Sequence, residues 1–245
     1  VDLSKTNVKY LDAGEVTSVK KISEMADEAG VDAAVNGDFF DINNSNATLG
    51  NGVSTGTVVS TANPDHNAVT ATVGEDRLGA IADVLLDGVA HVNGSTSLPL
   101  LGVNIQKTGD GITAYDDHWG DFPVDRSLDG AEGYAVKVDA TGAVSTLDVD
   151  ISAPTDLAEG ERLLVARGAE AIEQLRAVAE GDQVEVSIGV STDPERLQMA
   201  ISGIFQVAED GKAMAEDSTD DPLATGLNPR TAVGFGDGGK TMYLV

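Results

Sequence analysis

Cysteine is absent from all 245 residues, which excludes disulfides and thiolate metal sites. Aromatic residues make up only 4% of the chain, with a single tryptophan, so any aromatic platform must come from a few identifiable side chains. Positive charge is scarce too: 15 Lys and Arg face 41 Asp and Glu, a formal net charge of −26. A field of that sign repels nucleic acid and anionic lipid, so a basic nucleic-acid surface is excluded. It also repels anionic substrates at long range. A site for an anion therefore needs a local positive device, and the few arginines become informative. No run approaches the roughly 18 apolar residues of a membrane span, and no signal peptide is visible, so no membrane insertion is expected. Val1 in place of Met is what a processed or excised chain shows.

With 41% hydrophobic residues the chain can bury a real core, and one large domain is expected. Val19, Ile22, Met25, Ala26 and Ala29 recur at helical spacing, with Thr17 or Ser18 to cap the start and Gly30 the end. Val31 to Val35 then reads as a short buried strand that delivers Asn36-Gly37 at its tip. Helix, strand and polar tip in that order predict an α/β unit with a functional loop beyond the strand. Further strands are predicted at 57–60, 68–73, 78–81 and 84–86, with a turn at Asp87-Gly88, and over the apolar run 98–105. Asp139-Ala140-Thr141-Gly142 predicts a hairpin, Ile172, Leu175, Val178 and Ala179 a second helix stopped by Gly181, and 184–190 a half-buried strand. Gly236 to Gly239 reads as another hairpin turn. Glu209 to Asp221 reads as a solvated acidic loop.

Three groups of residues could carry chemistry. In Asn228-Pro229-Arg230-Thr231, proline fixes its own φ and pushes Asn228 out of the helical region, so Arg230 is held on a stiff turn. A guanidinium fork matches phosphate oxygens with two parallel hydrogen bonds; pairing with nearby carboxylates is the bland alternative. In Asn36-Gly37-Asp38-Phe39-Phe40-Asp41, a strand-tip amide can donate to and accept from sugar hydroxyls or phosphate oxygens, and Gly37 permits a sharp turn or close approach. One of Phe39 and Phe40 is expected in the core, leaving Phe40 to line a pocket. Asp41 and Asn43 place oxygens at alternate positions like the start of a calcium loop, against the alternative of an Asx-rich turn. In Tyr115 to Gly120, His118 could move a proton and Trp119 could stack on a sugar face, or simply anchor the core.

Taken in order along the chain, Asn36-Gly37 with Phe39-Phe40, the 56–60 strand, the Asp117 to Gly120 loop, and Asn228 to Gly234 with Tyr243-Leu244-Val245 resemble the phosphodiester glycosidase family, which includes the enzyme that uncovers sugar phosphates by removing N-acetylglucosamine. The resemblance implies a fold of mixed α/β class: a central twisted mixed sheet flanked by helices, with residues from about 131 to 191 as an inserted strand-helix-strand region. Family members often carry glycine at the position of Asp38. Past the point equivalent to Val245 the family continues with an Asp-Gly-Arg motif, a helix and an Asn-Leu-Asp-Gly-Gly-Gly-Ser-Ser motif, so 1–245 is expected to form one incomplete domain.

The implied activity is hydrolysis between an anomeric carbon and a phosphodiester oxygen. Arg230, Asp38 and Asp41 are the catalytic candidates. Asn36, Gly37, Phe40, Asn228, Thr231, His118 and Trp119 are the substrate-binding ones, and calcium at Asp41 and Asn43 is the conceivable cofactor. The implied partners are a sugar phosphodiester or a cell-surface glycan, together with a second chain or copy to complete the sheet. The implied location is extracellular. The competing expectation is a secreted glycan-binding or wall-associated module that holds a glycan without cutting it.

Overall fold

The computed structural model describes residues 1–63, 69–84, 86–190, 196–214 and 229–245. In chain order the first elements are α1 (Ile22–Ala29), β1 (Gly52–Ser54), β2 (Thr57–Ser60), β3 (Val69–Gly74), β4 (Gly79–Ala82), β5 (Leu86–Val92), β6 (Thr96–Val103) and β7 (Gly111–Tyr115). There follow β8 (Gly133–Val138), β9 (Val144–Leu147), β10 (Arg162–Arg167), α2 (Ala169–Arg176) and β11 (Val184–Val190). The last are β12 (Leu197–Gly203), β13 (Ala208–Glu209), β14 (Lys212–Ala213), β15 (Val233–Gly236) and β16 (Thr241–Leu244).

Two eight-residue α-helices against sixteen strands among the described residues make this a β protein. The expectation of a helix-flanked α/β sheet is therefore overturned. It came from the family resemblance and from reading Val19 to Gly37 as helix, strand and polar tip; the helical periodicity around Ile22 and Ile172 is real but belongs to two short helices, neither of which covers a parallel sheet. Pairing is antiparallel throughout the two main sheets except between β6 and β7.

The seven-stranded sheet runs β11-β5-β6-β7-β10-β8-β9 and curls until its two edges nearly meet. Ala143 bridges Gln183 across the gap, and the Val184 N–H donates to the Gly142 carbonyl at 2.7 Å. The curl encloses one face of every strand, so that face is apolar: Ala90, Val92, Leu100, Ile112, Val136 and Leu164 all point inward. α2 plugs the interior with Ala171, Ile172 and Leu175, followed by Val178. The segment 131–191 is thus woven into the same sheet as β5, β6 and β7.

The five-stranded sheet, β2-β1-β12-β3-β4, packs against the first through Val53, Val58, Val103, Leu197 and Ala200. The N-terminus and the β15–β16 hairpin sit on its other side. Leu3, Val73, Met199 and Met242 are buried together there, with Tyr10 and Phe235 packed against them. This apolar cluster is what carries the C-terminal turn toward the residues after α1.

The hairpin turns at 139–142 and 236–239 are as the sequence predicts. The turn expected at Asp87-Gly88 is not there: both lie inside β5, and the chain turns instead at Asn93-Gly94, where both residues adopt positive φ. Val31 to Val35 is no buried strand either. It has no ladder partner among the described residues, and Ala33, Ala34 and Val35 are exposed. The expected acidic loop is a small β13–β14 hairpin up to Ala213, and its part from 215 on lies outside the described residues.

Leu175 is fully buried in the plug, whereas Ile22 on α1 is exposed. Leu175→Ala should lower unfolding stability by about 3 kcal/mol in a urea titration, and Ile22→Ala by no more than about 0.5 kcal/mol.

Candidate functional site

The loop from Asn36 to Asn51 is fixed from beneath by a buried polar network. The Asn51 N–H donates to Ser202 Oγ at 2.8 Å, and its side-chain amide donates to Thr70 Oγ1 at 3.1 Å and to the Val84 carbonyl at 3.2 Å. The Ala62 N–H returns a bond to Asn51 Oδ1 at 3.0 Å, and Thr70 and Ser202 hydroxyls meet at 3.0 Å. Every member is paired, so the network positions the chain instead of penalising it. Gly50 can follow only because it lacks a side chain: a Cβ there would collide with Ser202 and lie 2.7 Å from Asp38 Oδ2. Gly37 is seated on β12 in the same way, since a Cβ would lie 2.5 Å from Ile201 Cδ1.

Asp38 adopts the left-handed conformation at φ 60°, which accounts physically for glycine being acceptable at this position. Its Oδ1 accepts from the Phe39 N–H at 2.7 Å, and its Oδ2 from Thr48 Oγ1 at 2.5 Å and the Gly50 N–H at 2.8 Å. Tyr10 lies under the same loop. Burial, with the charges of Asp12 and Asp38 nearby, pushes its phenol well above the ordinary tyrosine range. Sequence reasoning missed Tyr10 because an isolated tyrosine in an apolar stretch carries no signal of its tertiary neighbours.

The decisive contact joins the two ends of the chain. Thr231 Oγ1 donates to Asn36 Oδ1 at 2.5 Å, across 195 residues of sequence. The Pro229-Arg230-Thr231 turn and the Asn36-Gly37 tip are therefore neighbours on one exposed face. Arg230 is exposed, and one of its contacts is a bond from Nη1 to the Pro229 carbonyl at 3.1 Å. Asn228 lies outside the described residues. A cavity of about 450 Å³ lies at the rim of the curled sheet, beside Arg162 and Val184.

Asp41 does not suit either role foreseen for it. Its Oδ2 accepts from Asn44 Nδ2 at 2.6 Å, the Ser45 N–H at 3.1 Å, Ser45 Oγ at 2.8 Å and Gln106 Nε2 at 3.1 Å. Desolvation works to raise its pKa, but those donors prevail and hold it below the ordinary carboxylate value. Calcium needs six to eight oxygens, and here the surrounding groups present hydrogens. The Asx-turn alternative fits, with Asn43 at φ 65° as part of the turn. Phe39 and Phe40 are both exposed, so the expectation that one fills the core is not met.

The third group divides. Trp119 is fully buried, edge-on to Tyr115 with ring centroids 4.9 Å apart, and its indole N–H donates to the Phe122 carbonyl at 2.8 Å. It has no face to offer a sugar and is a core anchor. His118 is part-exposed, with Nδ1 3.3 Å from Asp116 Oδ1. Asn104 Nδ2 also donates to that oxygen, at 2.7 Å. Asp116, Asp117 and His118 can bring ligand atoms within 4.8 Å of one another. The hydrogen bond that His118 donates to Asp116 raises the His118 pKa above its ordinary value, against partial burial. Asp116 is pushed up by desolvation, but His118 and Asn104 outweigh that and leave it lowered.

No protein-family profile matches the chain, and no curated protein matches it. Solved structures do share its fold. A hypothetical protein from Synechocystis superposes with a TM-score of 0.75 at 14% identity, covering 100% of this chain and 46% of that one. A protein from Burkholderia pseudomallei K96243, designated "Putative exported protein", superposes with a TM-score of 0.59, also at 14% identity, covering 77% of this chain and 44% of that one. The chain thus spans less than half the length of either, and at this identity the likeness establishes the fold alone. No helix among the described residues is long and apolar enough to cross a membrane.

The Asp116–His118 pair has a signed pH dependence. The raised histidine contributes stability that is full below about pH 6.5 and lost as pH rises through its folded value. The lowered carboxylate contributes stability present above about pH 4 and lost as pH falls through its own folded value. NMR titration should find His118 titrating above 6.5, and Asp116→Asn should move it down.

Proposed function

We propose that this chain forms part of a secreted glycosidase acting on sugar-1-phosphodiesters, with the joined Asn36 and Pro229-Arg230-Thr231 face as its anion-accepting side. The Thr231–Asn36 hydrogen bond carries the reading, because it brings a guanidinium turn and a side-chain amide together from opposite ends of the chain. Export of one structural neighbour, as its designation has it, agrees with the extracellular assignment. A chain of net charge −26 would otherwise repel a phosphodiester, and Arg230 supplies the needed local cation.

In the proposed reaction water attacks the anomeric carbon while the bond to the phosphodiester oxygen breaks. Positive character grows on the sugar and negative charge on the departing phosphate. Arg230 clamps that charge. Asn36, whose Oδ1 is occupied by Thr231, turns its amide hydrogens to the substrate. A carboxylate takes the proton from water, and Asp38 is the loop carboxylate assigned to this step because it lies two residues from Asn36, whereas four donors converge on Asp41 Oδ2.

A second reading, a glycan-binding module without turnover, draws on the same structure: both Asp38 oxygens already accept hydrogen bonds. The two are separated by assaying the native full-length polypeptide for sugar release from a sugar-1-phosphodiester, alongside calorimetry with wall glycans. Arg230→Ala should reduce release about a hundredfold or more, and Asp38→Asn should abolish it. Tight glycan binding with no release would establish the module instead.

A further inference from the structure

The cavity at the rim of the curled sheet, about 450 Å³ in volume, falls within the size range of small-molecule sites. It lies where the two edges of the seven-stranded sheet close on each other, beside the Ala143–Gln183 bridge. Strand alternation brings Arg162 to its wall. Leu164 and Ala166, two and four residues further along β10, belong to the enclosed apolar cluster, as does Val138, the ladder partner of Arg162. Arg162 is therefore on the inner face of the sheet, half-buried, where its neighbours are apolar. Its Nε is buried and, among the described residues, has no hydrogen-bond partner. Arg167 Nε, in the same state at the other end of β10, has Asp110 Oδ1 at 3.2 Å to balance its charge. Lys137, opposite Leu163, is paired with Glu161 at 2.7 Å. A partly desolvated cation without a counter-charge is costly, and an anionic acceptor entering the cavity would relieve that cost.

We propose that this cavity binds a small monocarboxylate with an apolar body, its carboxylate received by the Arg162 guanidinium. The planar fork of arginine matches the two oxygens of such a group. Val138 and Val184 of the enclosed cluster, with Val186 packed against it, supply an apolar wall for the body. Gly142 and Gly160, at φ 86° and 82°, bring backbone without side chain to the wall and leave the space open. Charge selects a monoanion. Asp139 and Glu185 also line the cavity, so one guanidinium faces two carboxylates. A phosphate dianion would add a second negative charge to that balance, and a monocarboxylate adds only the one that Arg162 can match. None of the lining residues belongs to the Asn36 and Arg230 face, so the inference does not depend on the glycosidase reading.

The test uses the whole 245-residue protein, with hexanoate, hexanamide and inorganic phosphate as probes. Hexanoate should bind saturably in calorimetry and shift the Arg162 Nε–H resonance in NMR. Hexanamide has the same body and no charge, and should bind about tenfold or more weakly. Phosphate should leave the Arg162 resonance in place. Arg162→Met keeps an apolar stem and should weaken hexanoate by a similar factor without lowering the melting temperature, because the charge it removes is unpaired at Nε among the described residues. An Arg162 resonance unmoved by hexanoate overturns the proposal. So does hexanamide binding as tightly as hexanoate, which reduces the effect to apolar filling, or phosphate binding as tightly, which reduces it to charge attraction. The comparison of hexanoate with hexanamide needs no variant and stands even if Arg162→Met fails to fold.

Discussion

Asn51 is the pivot of the candidate site. A buried amide must find partners or cost the fold one to three kcal/mol for each group left unmade. Here the partners come from β3, β12 and the chain after β2, so three separate parts of the structure agree on one place for Asn51. Gly50 precedes it and donates to Asp38, and Gly37 lies flat on Ile201 of β12. The loop is therefore clamped at both ends onto a single strand. What remains exposed, from Asn36 to Phe40, is presented by a rigid base.

The electrostatics are consistent with that plan. A chain this acidic tends to tie its cations to carboxylates, as in the Lys137–Glu161 pair at 2.7 Å and the Arg167–Asp110 pair at 3.2 Å. Arg230 lies on the exposed turn beside Asn36, and one of its contacts is a bond to its own turn's carbonyl. Asp38 and Asp41 of the neighbouring loop accept hydrogen bonds from Thr48, Gly50, Ser45 and Gln106, which stabilise their charge.

Local chemistry was legible in the sequence where it is decided locally. Asp139 to Gly142 and Gly236 to Gly239 turn as their residues require, and Gly30 ends α1 in the left-handed conformation with its N–H on the Ala26 and Asp27 carbonyls. The neighbourhood of Asn36 and Arg230 was readable only through the resemblance of whole motifs, since nothing local at either end names the other. What failed was whatever depends on tertiary partners. An apolar run such as Val31 to Val35 states that it can form a strand, not that a neighbour exists. Asp87-Gly88 has turn chemistry, yet the ladder to β6 and β11 prevails over it. The fold class was misjudged because a helix inside a curled sheet and a helix upon a flat one have the same periodicity. Trp119 and Asp41 show the same limit for sites: each suits a ligand by type, and each is already occupied by its own protein.

The convergence of Asn36 with Thr231 is the claim on which the functional account stands, and the absence of native cysteine makes it directly measurable. Cysteines placed at both positions, Asn36→Cys with Thr231→Cys, should be joined within one molecule by a short bismaleimide in the folded state and not in urea. Mass spectrometry showing a single bridging reagent per chain is the predicted result. Two separately capped cysteines in the folded protein would contradict the account.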